Sequence, residues 1–337
     1  MQCELNVLSK ICNYKIEFVS SLESIISEID KENTIVFIDS NVASLYPFLV
    51  SDSSILVECI EDSKTINGVL SVLSELTERK SNIQTKILVI GGGILQDLVG
   101  FCASIYCRGI EYVLVPTTLL SQVDSCVGGK TSINFNDRKN ILGTFYPPSK
   151  ILIYTNFIDT LSLIEHISGL GEIYKFNILQ NTIDNFNTEN ITDMIRSGLE
   201  YKIDILSRDE FDTGERKFLN FGHTFGHAIE SISEYKVPHG ICVILGSMVA
   251  IQISHRLGYT VNDRTKILDI GRSLLSQSGI NFDKNWFIFE RLFDIIKSDK
   301  KSTGKLTMIL IDSEPVIRDV ENTEIMQELL DEFYESI

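Results

Sequence analysis

Lys86-Ile87-Leu88-Val89-Ile90-Gly91-Gly92-Gly93-Ile94-Leu95-Gln96-Asp97-Leu98-Val99-Gly100 is the stretch of this chain whose reading decides its fold. Its first five residues are mostly apolar and β-branched and read as a buried strand. Three glycines then turn the chain into 94–107, which reads as a helix. Glycines let a backbone approach a ligand closely, and the start of a helix offers unpaired N–H groups to a phosphate. The spacing is not the dinucleotide fingerprint, because position 96 is Gln. A tight structural turn accounts for the glycines equally well.

Working outward, 34–38 and 112–116 read as further buried strands, the second ended by Pro116 because proline cannot continue a central ladder. Over 64–79, Ile66, Val69, Leu70, Val72, Leu73 and Leu76 recur at helical spacing. Strands alternating with helices imply a mostly parallel sheet. After about residue 160 the pattern becomes successive helices, over 164–179, 191–206, 216–231, 241–257, 264–276 and 324–334, with 306–311 as the one further strand. The expected architecture is α/β: a Rossmann-like parallel-sheet domain over 1–160, then a mainly α-helical domain over 161–337, with no flexible linker between.

Two domains also suit a chain of 337 residues. Its 30 basic and 46 acidic residues give a formal charge of −16, a field that repels nucleic acid and anionic membranes. Neither is expected as a partner. The apolar run 241–253 is too short to span a bilayer, and no secretory signal is visible, so a cytoplasmic location is expected. Seven cysteines scattered singly, without a C-x-x-C pair, read as free thiols.

The most specific stretch is Arg216-Lys-Phe-Leu-Asn220-Phe-Gly-His223-Thr-Phe-Gly-His227. If it is helical, Arg216, Asn220, His223 and His227 share one face, and that polar stripe is costly to bury unless it faces a ligand, metal or water. Histidines at i, i+4 can share a metal, but the Glu of H-E-x-x-H is missing, which disfavours a zinc protease. Gly222 and Gly226, costly inside a helix, point to close approach of another element. His239 is a third histidine of only five in the chain. Glu172 and Lys175 lie one helical turn apart, which a plain ion pair would also explain. Asp124, Lys130, Lys139 and Asn140 crowd a glycine-rich segment, read as a polar loop or as an anion site in an otherwise acidic chain.

Taken in order, these segments resemble the sugar-phosphate cyclase superfamily and, within it, the 3-dehydroquinate synthase family. The strings that carry the resemblance are 91–101, Arg108-Gly109, 115–130, Lys139-Asn140, 171–175, 216–230 and Pro238-His239-Gly240, so it covers roughly residues 35–310. It implies an N-terminal NAD-binding domain and a C-terminal metal- and substrate-binding domain. It implies a divalent metal, zinc or cobalt, on Glu172, His223 and His239, which leaves His227 for substrate or phosphate. Asp124, Lys130, Asn140, Lys175, Lys202, Arg216 and Asn220 match substrate-contacting positions, and Lys139 adjoins them. Arg108 would complete the phosphate pocket, and Lys300 or Lys301 would close the site. Cofactor contacts would come from Asp39, Glu61, Lys64, Gly91, Gly92, Gly93, Asp97, Thr117 and Thr118. Asp39, at the end of a strand, suits ribose hydroxyls and so NAD over NADP.

The implied reaction is redox-neutral overall: a ring alcohol is oxidised, phosphate leaves by β-elimination, the hydride returns, and an aldol step closes the ring. The implied substrate is the sugar phosphate 3-deoxy-D-arabino-heptulosonate 7-phosphate, and a homodimer is expected. The chain departs from the family's usual Gly-Asp at Gln96-Asp97 and from its His-Gly-Glu at His239-Gly240-Ile241, and its span from Glu172 to Arg216 is shorter. A sister cyclase acting on glucose 6-phosphate or sedoheptulose 7-phosphate, a metal-dependent polyol dehydrogenase and a non-enzymatic binding protein are the alternatives.

Overall fold

The computed structural model describes residues 4–29, 32–136, 138–299, 306–320 and 323–337. Lys300 and Lys301 lie outside the described residues. Contacts divide the chain into two compact units: residues 1–161 with 202–211, and residues 162–201 with 212–337.

The first unit runs β1 (Glu4–Val7), β2 (Tyr14–Phe18), α1 (Glu23–Ile29), β3 (Thr34–Asp39), α2 (Ser40–Leu45), β4 (Ser54–Val57), α3 (Ile66–Glu78), β5 (Lys86–Gly91), α4 (Gly93–Ile105) and β6 (Tyr112–Pro116). A hairpin, β7 (Lys130–Phe135) with β8 (Arg138–Phe145), and then β9 (Lys150–Ile153) follow. Seven strands form one sheet in the order β1-β2-β9-β6-β5-β3-β4. Neighbours are parallel except β1, which runs antiparallel to β2. In β5 every residue from Ile87 to Gly91 is buried, as a strand covered on both faces must be. Pro116 is the last paired residue of β6, so its missing N–H interrupts no ladder.

Strand order reverses between β3 and β5: β3 leads through α2 to β4 on one side, and β5 leads through α4 to β6 on the other. In sheets of this kind, ligands bind outside the carboxyl ends of the strands at such a reversal. Here those ends are Asp39 and Gly91.

The second unit contains α5 (Leu163–Leu179), the first part of α6 (Ile191–Arg208), α7 (His223–Ile232), α8 (His239–Arg256), α9 (Arg264–Ser278) and α10 (Phe289–Asp299). The hairpin β10 (Leu306–Asp312) with β11 (Glu314–Val320) and α11 (Thr323–Ser336) complete it. From Lys202 onward, α6 belongs to the first unit. Helix α8 is buried without interruption from Gly240 to Ile251, and α5, α7, α9 and α11 pack on it. A helix apolar all round is stable only as such a core element. No helix among the described residues is long and apolar enough to cross a membrane. The six described cysteines are all free, and Cys3 lies outside the described residues.

Three expectations change. The helix expected over 216–231 is two pieces: a 3-10 turn at Glu215–Asn220, then α7 from His223. Gly222 causes the break, adopting a left-handed φ of 78° that only glycine takes at little cost. Arg216 and Asn220 therefore do not share a helical face with the histidines. The expected polar loop is the β7–β8 hairpin, on which Lys130, Lys139 and Asn140 are strand residues. Strand 306–311 has a partner, β11, missed because its outward side chains are polar and its alternation is weak.

Candidate active site and metal centre

Glycines bring the polar residues of the second unit together. A Cβ on Gly171 would lie 2.1 Å from the Gly240 carbonyl oxygen, so α5 and α8 touch backbone to backbone. Glu172 follows the one glycine and His239 precedes the other, so the contact sets these side chains side by side. The same device places His223: its neighbour Gly222 lies against α8, where a Cβ would meet Ser247 Oγ at 2.3 Å.

The result is a buried carboxylate facing imidazoles. Glu172 Oε1 lies 3.2 Å from His239 Nε2 and 3.7 Å from His223 Nε2, and Lys175 Nζ lies against Oε2. Glu172 is fully buried, its Oε2 met by the Lys175 ammonium and its Oε1 turned to the two imidazoles. A buried carboxylate is costly unless cations balance it. Burial opposes its ionisation, but Lys175 and the two histidines outweigh that and hold the carboxyl well below its usual range.

His223, His227 and His239 can each bring one ring nitrogen within 4.8 Å of the others. His223 is held neutral, its pKa lowered to about 3 by burial and then by Lys175, so its lone pair is available. Its Nδ1 sits 3.0 Å from the Phe221 carbonyl oxygen, which fixes the tautomer that leaves Nε2 toward Glu172. Burial alone would lower His239 as well, but its bonds to Glu172 and Glu230 push it up to about 10. Glu230, which the sequence reading did not single out, accepts from His239 Nδ1 at 3.2 Å. It lies three residues after His227 on α7, the one signal that could have found it. One carboxylate oxygen and two imidazole nitrogens form a donor set that fits a divalent metal with open positions.

The first unit holds a second group. At the sheet reversal, Gly91 and Gly92 lie beside Thr117 and Thr118: Thr117 N–H donates to the Gly91 carbonyl at 3.2 Å, and Thr118 Cγ2 lies 3.0 Å from where a Cβ on Gly92 would be. Asp39 caps α2, its Oδ1 accepting from Asn41 N–H at 2.8 Å. Lys64 is buried, in contact with Asp97 and donating to Asn140 Oδ1 at 2.6 Å. Glu61 accepts from Asn134 at 2.7 Å and lies 3.8 Å from Lys139 Nζ. A small cavity is lined by Gly93, Gln96, Asp97, Ser125, Cys126 and Lys130. Gln96, where the family usually has Gly, is buried and donates to the Gly91 carbonyl at 3.1 Å.

Lys202 is also buried, its ammonium bonded to Asp124 through the backbone oxygen at 2.5 Å and through Oδ1 at 2.8 Å. Arg216 is buried within the second unit, whereas Asn220 is exposed at the end of its short turn. Arg108 is exposed beyond α4 with a left-handed φ of 66°, and among the described residues it makes no hydrogen bond or ion pair.

Residues 54–168 match the N-terminal domain of 3-dehydroquinate synthase, and residues 169–302 match its C-terminal domain. The chain belongs to the 3-dehydroquinate synthase family. It is 36% identical over 293 residues to a 3-dehydroquinate synthase of Dictyoglomus turgidum, covering 82% of this chain and 81% of that one. It is 39% identical over 264 residues to that of Alkaliphilus metalliredigens, covering 74% and 73%. Among solved structures, 2-deoxy-scyllo-inosose synthase complexed with carbaglucose-6-phosphate, NAD+ and Co2+ has a TM-score of 0.83 at 24% identity, covering 98% of this chain and 99% of that one. A 2-epi-5-epi-valiolone synthase from Streptomyces hygroscopicus with NAD+ and Zn2+ has a TM-score of 0.81 at 23% identity, with 99% of each covered. Both share the α/β fold.

Proposed function

We propose that this chain is a 3-dehydroquinate synthase, converting 3-deoxy-D-arabino-heptulosonate 7-phosphate to 3-dehydroquinate and phosphate with NAD and one divalent metal. Family membership across both halves supports the reaction class. The single observation that carries the site is the buried Glu172 carboxylate, balanced by Lys175 at Oε2 and facing His223 and His239 through Oε1. Glu172, His223 and His239 hold the metal, with Glu230 orienting His239.

When bound, the metal supplies Lewis acidity to a substrate hydroxyl and carbonyl, and NAD supplies reversible hydride acceptance. The chain's own residues do the rest. Asp39 and the Gly91–Gly93 turn take the dinucleotide, with Glu61, Lys64, Asp97, Thr117 and Thr118 around it. Lys130, Lys139 and Lys202 of the first unit and Lys175 and Arg216 of the second neutralise phosphate and carboxylate. Asn140, Asn220 and His227 give polar contacts to the substrate, and Asp124 holds the Lys202 ammonium in place. The enzyme works as a cytoplasmic homodimer.

Purified protein with NAD+, zinc or cobalt and 3-deoxy-D-arabino-heptulosonate 7-phosphate should release phosphate with no lasting absorbance of NADH. Glucose 6-phosphate and sedoheptulose 7-phosphate should be inert. Turnover of either of those alone moves the enzyme to a sister cyclase, and NADH build-up without phosphate release rejects the cyclase.

A further inference from the structure

The β7–β8 hairpin loses its regular register between Ile133 and Phe135. Ile133 pairs with Leu142 and Phe135 with Arg138, so the single residue Asn134 faces Lys139, Asn140 and Ile141. Such bulges re-aim side chains, often beside active sites. The two polar residues thrown out by this one are those read as substrate contacts. Within the bulge, Asn140 adopts a left-handed φ of 55°, which costs a non-glycine residue energy and persists only if held.

Asn134 makes a contact with its backbone N–H and with both polar ends of its side chain. Its backbone N–H, freed from the ladder, donates to the Lys64 carbonyl at 2.7 Å. Its Oδ1 accepts from Asn140 N–H at 3.0 Å, and its Nδ2 donates to Glu61 Oε1 at 2.7 Å. Lys64 closes the circuit, donating from Nζ to Asn140 Oδ1 at 2.6 Å while touching Asp97. Ser132 Oγ donates to the same Asn140 oxygen at 3.0 Å. One half-buried carboxamide thus ties Glu61, read as a cofactor contact, to Asn140, read as a substrate contact, while the backbone N–H of the same residue holds the Lys64 carbonyl.

We propose that Asn134 is a positioning residue for this enzyme, its side chain fixing Glu61 for NAD and Asn140 for the sugar phosphate. The proposal rests on the reading of those two residues as ligand contacts. Asn134 itself touches neither ligand. It acts by holding its partners in place, so its loss loosens binding more than it slows the chemical step.

The test uses zinc-loaded full-length protein, with NAD affinity from calorimetry, kcat and KM from phosphate release, and ligand-free thermal unfolding. Asn134→Ala should weaken NAD and raise the substrate KM about tenfold each, with kcat within about threefold, as loss of a bond to a charged group implies. Asn134→Asp keeps the acceptor for Asn140 but sets a second carboxylate against Glu61, and should bind NAD more weakly than Asn134→Ala. NAD and substrate values for Asn134→Ala within about twofold of wild type would overturn the proposal. So would NAD binding by Asn134→Asp no weaker than by Asn134→Ala, which marks a merely structural role. If the wild-type protein binds NAD but releases no phosphate, the reaction assignment falls, and the NAD measurements still decide the role of Asn134.

Discussion

Replacing Gly171 by alanine tests whether the contact between α5 and α8 builds the metal centre. The added Cβ would sit 2.1 Å from the Gly240 carbonyl oxygen and 2.6 Å from its carbon. Carbon and oxygen rest about 3.4 Å apart, so the helices must separate by roughly 1.2 Å or the backbone must buckle. Overpacking of this kind costs about 1–3 kcal/mol of stability. The metal centre should suffer more, because coordination distances tolerate only about 0.2 Å. Glu172 and His239 adjoin the two glycines, so they would be displaced by several times that tolerance. Zinc affinity should fall roughly 100-fold or more, beyond what loss of an outer-shell partner causes. The assay is zinc per chain after dialysis against graded chelator, with thermal unfolding in parallel. Gly258→Ala is the control: with a φ of 80° and nothing within 4 Å of its added Cβ, it should lose about 1 kcal/mol and no zinc. A Gly171→Ala protein that keeps wild-type zinc affinity would show that the helix contact does not set the ligand geometry.

Three further outcomes are expected. His239→Ala should lose both bound metal and turnover while His227→Ala keeps its metal; equal loss in the two would assign the ligands wrongly. Because His239 without metal is pushed up to about 10, zinc binding at neutral pH must displace its proton, so affinity should climb about tenfold per pH unit up to that point. Calorimetry in two buffers of different ionisation enthalpy should show about one proton released per ion, and equal heats would refute it. Lys130→Ala should raise the KM for the sugar phosphate at least about tenfold while leaving NAD affinity within about twofold; the opposite split would move Lys130 to the cofactor.

The parallel sheet was legible because β3, β5 and β6 are buried on both faces and so read as unbroken apolar runs. Most strands that escaped notice lie at edges or in hairpins; β9, central in the sheet and buried, is only four residues long and so too short to show a pattern. β1, β4 and β11 alternate weakly or expose half their residues, and β7 and β8 are polar on their outward face. The histidine stretch was legible in composition but not in conformation. A helical wheel carries Arg216 and Asn220 onto the face of His223 only if Gly222 is helical, and its left-handed φ depends on the approach of α8 at Ser247, a contact distant in sequence. Asn134 and Glu230 gave no signal of their own, since an Asn in a strand and a Glu on a helix are ordinary residues until their partners are known.

The glycines link these observations. Read along the chain, Gly171 and Gly222 are penalties inside helical patterns, about 1 kcal/mol each against alanine, and Gly240 lies just before another. In the folded unit each is a point where one backbone meets another, and each is the immediate neighbour of a proposed ligand: Glu172, His223 and His239. Removing the Cβ at the crossing points lets the backbones touch, which sets Glu172 beside His239 and fixes the place of His223 against α8. The same logic holds in the first unit, where Gly92 leaves room for Thr118 and Gly91 for Asp39 beside Leu95 at the sheet reversal. A glycine directly beside a His, Glu or Asp in a helical pattern is thus a stronger sign of a built site than either residue alone, because the energetic penalty of the one is explained by the placement of the other.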